Sequence, residues 1–308
     1  MLTVRFWGAR GSIPCPGPDT VKYGGNTSCL EIRAGERLII IDLGTGIRPL
    51  GDWLLAHDFK KNGCIEADIF ITHTHWDHIM GFPVFAPIFI PKNKLWIHGP
   101  VSYEEDSLET IISAQLSYRY WPVRASELAA RIEYYQIKET SLNLGDGIQL
   151  TTKYLNHPIL CLGYRFEYQG KSIVTAYDHE PFRNLFSIDP ADPAYDEEAA
   201  REGRLAAAEE NEKVIRFFQG ADILIHDAQY TETAYRTHLG WGHSSYEQAI
   251  RNAVRAGVKK LVFFHHDPVH TDRQLEKIER NCRAKLRGKP GKPAPEIMMA
   301  MEGITLKA

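Results

Sequence analysis

The chain is sparing with cysteine, carries no strong excess of either charge, and contains no long apolar run. Its five cysteines are Cys15, Cys29, Cys64, Cys161 and Cys282. The count is odd and no two form a CxxC pair, so the thiols read as reduced and intracellular rather than as a disulfide framework. No apolar stretch is long enough to cross a bilayer. Met1 leads straight into the alternating LTVRFWG, without the basic and apolar regions of a secretory signal. The cytoplasm is therefore the expected location, with no membrane partner. Lys and Arg total 36 against 39 Asp and Glu, a net charge of −3, which argues against a strongly basic nucleic-acid binder.

What is present is an ordinary globular composition, 44% hydrophobic over 308 residues. A chain of that length buries most of its surface without staples. LTVRFWG and SCLEIRAG alternate as strands, and RLIIIDLG is a buried strand ending in a turn. A helix is expected from about Ile47 to His57, then strands at CIEADIFITHTH and KLWIHGP. Residues from about Tyr103 to Ala130 read as helical. IEYYQI, GIQLTTKYLNH, CLGYRFEYQG and KSIVTAYDH return to strand character.

The polar stretch from Phe182 to about Arg201 reads as a surface loop or lid, followed by the helix RLAAAEENEKVIRFFQG with Gly220 at its end. Strands ADILIHDA and KKLVFFHHD flank a helix with a capping box at Ser244 and Glu247 and a stop at Gly257. A Pro- and Lys-rich connector, RGKPGKPAP, leads to a closing strand in EIMMAMEGITL. Strands dominate both halves and helices fall between them. An α/β architecture of two mixed sheets packed face to face, with helices outside, satisfies that order. No linker divides residues 1–308, so one domain is expected, with insertions near 100–145 and 182–201.

The chemistry concentrates in ITHTHWDHIMG. His73 and His75 leave an apolar strand on one face, because alternate strand residues share a face. Asp77 and His78 then turn towards a neighbouring point. Imidazole and carboxylate suit zinc, and also manganese or iron. Four such groups within six residues fit two ions better than one. Alone, His157 reads as a capping or core histidine and Asp178 as a turn residue. Each, like His265 and His266, stands at a strand end followed by a loop, where a site on one rim of a sheet scaffold draws its side chains.

These residues in this order resemble the metallo-β-lactamase superfamily, over nearly the whole chain. The resemblance implies an αββα sandwich and a dinuclear site. One ion would take His73, His75 and His157, the other Asp77, His78 and His265, with Asp178 between them. His266 is the alternative to His265. Asp42, in IDLGTG, would support the ligands from behind.

Within the superfamily the chain is most similar to the ribonuclease Z and cyclic-phosphodiesterase branch, through ILIHDAQY, GWGHSSYEQA and KKLVFFHHD. There His243 would meet the scissile phosphate and protonate the leaving oxygen. His179 stands where a Thr is usual, Asp227 replaces a Glu, and His226 and His179 are further nearby candidates. The basic arm with which ribonuclease Z grips tRNA is missing between GYRF and Asp178.

The resemblance thus implies a hydrolase that uses two divalent ions, zinc first and manganese or iron as alternatives, to activate water. Asp77 and His243 would be its catalytic side chains. The leading substrate is a small or cyclic phosphodiester or nucleotide, with Tyr118, Tyr120 and Trp121 as candidates to stack on a base. RNA cleavage is the alternative. Thioester or lactam hydrolysis, iron-dependent oxidation and a binding scaffold rank behind. A homodimer is compatible with the sequence.

Overall fold

A computed structural model describes residues 1–104, 106–287 and 294–308. The first sheet has the order β14-β1-β2-β3-β4-β5-β6 and the second β13-β12-β11-β10-β9-β8-β7. The first is built from β1 (Leu2–Gly8), β2 (Cys29–Ala34), β3 (Arg37–Ile41), β4 (Glu66–Phe70), β5 (Lys94–Pro100) and β6 (Arg131–Ile137), with β14 (Thr305–Lys307) on its edge. The second holds β7 (Ser141–Gly145), β8 (Ile148–Leu155), β9 (Cys161–Tyr168), β10 (Lys171–Ala176), β11 (Ile223–Asp227), β12 (Lys260–Phe264) and β13 (Glu296–Met299).

Strand alternation explains the layers. Ile39 and Ile41 of β3 face the second sheet, and Val262 and Phe264 of β12 and Ile223 and Ile225 of β11 face the first. The intervening Leu38 and Ile40 face the helical layer of the first sheet, while Leu224, Leu261 and Phe263 face that of the second. Strands apolar on both faces must be covered twice, and helices outside each sheet do this.

On one side lie α1 (Ile47–Leu54), which runs on through a wider turn into α2 (Lys60–Asn62), and α4 (Leu108–Ala114). On the other lie α5 (Glu197–Phe218), α7 (Tyr246–Ala256) and α8 (Asp272–Arg287). Short α3 (Trp76–Ile79) and α6 (Glu232–Tyr235) sit in loops. Among the described residues no helix is long and apolar enough to cross a membrane.

The sandwich also orients its rim. β3, β4 and β5 run parallel, as do β10, β11 and β12. Parallel neighbours end together, so the loops after β4, β10, β11 and β12 gather on one edge, where such sheets place ligands.

Several expectations change. Between Tyr103 and Ala130 the α-helix covers only Leu108–Ala114, because Pro122 and the exposed Tyr118 and Tyr120 cannot extend its buried stripe. Ser141–Gly145 adds a strand and Asp272–Arg287 a helix beyond those expected. α5 begins at Glu197, capped by Asp196, inside the expected loop.

The tail EIMMAMEGITL splits, with β13 joining the second sheet beside β12 and β14 the first beside β1. Residues 288–293 of the expected connector lie outside the described set. The cap of α7 is Ser245, whose hydroxyl accepts from the Gln248 N–H at 3.2 Å. Ser244 instead donates to the His179 carbonyl at 2.5 Å. Ser245→Ala should therefore lower unfolding stability by about 1 kcal/mol, read from chemical denaturation.

Candidate metal centre

The loop after β4 opens the site. His73 and Thr72 are fully buried, and His75 caps α3, turning Asp77 and His78 inward. His157 follows β8, Asp178 follows β10 and His265 follows β12. These seven residues converge as two groups whose ligand atoms lie within 4.8 Å of one another, His73, His75, His157 and Asp178 in one and Asp77, His78 and His265 in the other. Asp178, His243 and His265 form a third, overlapping group. Asp42, Asp178 and His265 all adopt positive φ, at 63°, 48° and 61°. That backbone is costly for residues with a Cβ and collects at functional sites.

Hydrogen bonds on the outer sides of the rings decide where their lone pairs point. His78 Nδ1 meets Asp42 Oδ2 at 2.7 Å. His265 Nδ1 meets Gln229 Oε1 at 3.0 Å, and His157 Nδ1 meets the Gly242 carbonyl at 3.0 Å. Each acceptor requires a proton on that nitrogen, so in the neutral ring each Nε2 carries a lone pair.

Those nitrogens face other ring nitrogens and carboxylate oxygens. His157 Nε2 and His73 Nε2 both lie 3.0 Å from His75 Nδ1. His78 Nε2 lies 3.3 Å from His265 Nε2 and 3.3 Å from Asp77 Oδ2. Asp178 Oδ2 lies 3.3 Å from the Nε2 atoms of His73 and His78. Asp178 Oδ1 is buried without a hydrogen bond.

Such a cluster needs positive charge among its acceptors: a bound cation supplies it, and otherwise a proton must, as at His78, where burial opposes charge yet Asp178, Asp77 and Asp42 raise the pKa well above the usual value. A tetrahedral zinc ion with bonds of about 2.0–2.1 Å separates its ligand atoms by about 3.3–3.4 Å, which these spacings approach. The donor set fits two divalent ions, with Asp178 facing both groups.

Electrostatics follow the same layout. Burial opposes ionisation of Asp77, but His78 and His265 hold its carboxyl well below the usual range. Burial, with His78 beside it, keeps His73 neutral. Burial also pushes His157 down to about 4, so both rings are available as lone-pair donors. His243 behaves differently. Its burial disfavours charge, yet Asp227, hydrogen-bonded to Nδ1 at 3.1 Å, raises its pKa to about 9. The His243 ring stacks on His265 with centroids 4.8 Å apart.

The remaining expected residues separate clearly. Asp42 also accepts from the Thr72 N–H and hydroxyl, at 2.7 and 2.9 Å. His266 points away, its Nε2 donating to the Ala300 carbonyl at 2.9 Å; the reversal of direction at His265 sends successive side chains to opposite sides. His226 is tied to the Asp227 carbonyl and to Asn252, away from both groups. His179 Nδ1 accepts from the Asn156 N–H at 3.3 Å and faces no ligand group. Tyr118 and Tyr120 are exposed, Tyr118 beneath Arg124, and Trp121 packs on the core beside β5.

Sequence reasoning missed Gln229, Glu180 and the Ser12 N–H, which donates to Asp77 Oδ2 at 2.7 Å. A cleft of about 250 Å³ opens beside His157, lined by Asn156, Pro158, Phe182, Arg183, Leu185 and neighbouring glycines. A cleft of about 440 Å³ between Arg33, Arg37, Asp58 and Asp146 lies elsewhere and is lined by paired charges.

Comparison with known proteins agrees with this architecture. Residues 23–148 match the model of the Metallo-beta-lactamase superfamily. A ribonuclease Z of Lactococcus lactis subsp. lactis (strain IL1403) is 29% identical over 223 residues, 64% of this chain and 69% of that protein. The metallo-beta-lactamase fold protein YhfI from Bacillus subtilis superposes with a TM-score of 0.64 at 16% identity, covering 99% of this chain and 98% of that one. A diphosphatase from the PhnP family gives a TM-score of 0.60 at 16% identity, over 100% and 98% of the two chains. The chain has the metallo-β-lactamase fold, and its sequence is similar to those of ribonuclease Z proteins. It is a metal-dependent hydrolase of that fold.

Asp42→Asn should weaken divalent-ion affinity about tenfold to a hundredfold, since a group that orients a ligand histidine matters nearly as much as the ligand. Titration of the chelator-treated chain with Zn2+ measures it.

Proposed function

We propose that the protein hydrolyses a small or cyclic phosphodiester, with His73, His75, His157, Asp77, His78, His265 and Asp178 holding two divalent ions. The observation that carries this reading is the pair formed by His243 and Asp227 at the edge of the two groups. Hydrolysis of a thioester gives a buried, carboxylate-backed imidazole there no evident task, since a thiolate departs without a proton, whereas a departing alkoxide needs one. When bound, divalent ions supply Lewis acidity and activate water near neutral pH.

The chain's own residues do the rest. Asp178 neutralises charge between the groups. Asp77, oriented by the Ser12 N–H, accepts a proton-bearing nucleophile and directs it. His243 Nε2 gives a proton to the leaving oxygen as the phosphorus–oxygen bond breaks, and Asp227 stabilises the charged ring beforehand.

The small-substrate preference is supported by two features. Gln169 and Gly170, at φ 52° and 71°, join β9 to β10 in a tight turn, leaving no place there for a tRNA-gripping arm. The cleft beside His157, at about 250 Å³, falls below the usual range of ligand pockets, about 300–1,000 Å³. We assign the segments 100–145 and 182–201 to insertions on a single domain, the second forming a wall of that cleft. The reading against it is RNA cleavage, favoured by the ribonuclease Z relatives. Zinc is the first candidate ion.

His243→Ala should retain both ions and lower kcat on a generic aryl phosphodiester by about 10²–10⁴-fold. Elemental analysis alongside turnover checks this, and simultaneous loss of ions and turnover would remove the proton-donor role. The same assay after chelation should show no hydrolysis until divalent ions are restored. Parallel digestion of a precursor tRNA, if faster than any small diester and steeply salt-dependent, would shift the assignment to the nuclease.

A further inference from the structure

We propose that Glu180 is a positioning residue that sets the geometry of His157 and His243 by gripping the Gly240–Gly242 turn. This rests on the reading that the clustered histidines and aspartates hold divalent ions.

Glu180 stands two residues beyond Asp178, and its carboxylate is only 2% exposed. Among the described residues it faces no lysine or arginine at ion-pair distance, so its charge is met by neutral donors alone. Oε1 accepts from the Gly240 N–H at 2.9 Å and the Tyr235 hydroxyl at 3.1 Å. Oε2 accepts from the N–H groups of Gly240 and Gly242 at 2.9 and 3.0 Å. A buried carboxylate needs such donors to be tolerated. Because both oxygens accept, an amide cannot replace it: one of its two ends would confront a backbone N–H with another donor.

The grip has a direct consequence for the site. Gly242 donates its N–H to Glu180, and its carbonyl accepts from His157 Nδ1 at 3.0 Å. The proton on Nδ1 is what leaves the Nε2 lone pair facing His75 and Asp178. Gly242 sits at φ 85°, and a Cβ there would overlap the His157 ring, so the turn and the imidazole are packed without slack. The next residue is His243. Glu180 also donates its own N–H to the Asn156 carbonyl at 2.9 Å, beside His157. One carboxylate thus laces together the chain segments that deliver His157, Asp178 and His243. None of these contacts reaches the β-sheet core, so loss of the grip should disturb the site more than the fold.

The test uses the full chain, chelator-treated and titrated with Co2+, whose visible spectrum reports ligand geometry. Glu180→Gln should still fold, melting somewhat below wild type because a buried N–H loses its acceptor, bind one of two Co2+ equivalents about tenfold to a hundredfold more weakly, and show an altered spectrum for that ion. On an aryl phosphodiester, kcat should fall while KM changes little. Wild-type affinity, spectrum and kcat in a folded Glu180→Gln variant would overturn the proposal. Should that variant not fold, Tyr235→Phe removes a single donor and leaves the backbone intact. Weaker binding of one ion at an unchanged melting temperature then supports the proposal, and unchanged binding with reduced melting overturns it. A wild-type chain that takes up no Co2+ would overturn both this proposal and the function it rests on.

Discussion

Imidazole lone pairs and carboxylate oxygens cannot be packed against one another in a dry site unless positive charge lies between them. Here the outer nitrogens of His78, His157 and His265 are committed to Asp42, Gly242 and Gln229. In the neutral rings that commitment turns the inner nitrogens into acceptors, 3.0–3.3 Å from other ring nitrogens. The sandwich, the rim of parallel strand ends and the positive-φ turns at Asp42, Asp178 and His265 all serve to hold that arrangement against its own repulsion. Without a bound cation the same residues must take up a proton to avoid buried acceptors facing acceptors, and the His78 ring, beside Asp178, Asp77 and Asp42, is the one placed to hold it.

Much of this was legible in the sequence, for a local reason. HxHxDH at the end of the apolar strand DIFI compresses four groups into one loop, and strand periodicity alone says that His73 and His75 share a face. His157, Asp178 and His265 each follow an apolar strand, so their place on a rim could be read before their distances were known. The layering was legible too, because Leu38–Ile41 and Leu261–Phe264 are apolar at every position and therefore need cover on both faces.

What stayed hidden depends on partners distant in sequence. Nothing local in GWGHSSYEQA distinguishes Ser244 from Ser245 as the cap, since the choice is made by the His179 carbonyl 65 residues away. His265 and His266 are equivalent in sequence and are separated only by the backbone turn at φ 61°. Glu180 and Gln229 carry no motif, and their importance lies in backbone and ring atoms they hold. The tail that divides between two sheets likewise has one continuous apolar pattern, and only the register with β12 and β1 splits it.

The most direct measurement is the divalent-ion content of the purified chain, by elemental analysis, before and after replacing His78 with alanine. Two ions per folded chain are expected, with loss of at least one in the variant. A folded chain that takes up no more than a trace of any divalent ion, or whose ions are indifferent to His78, would contradict a dinuclear centre at this rim.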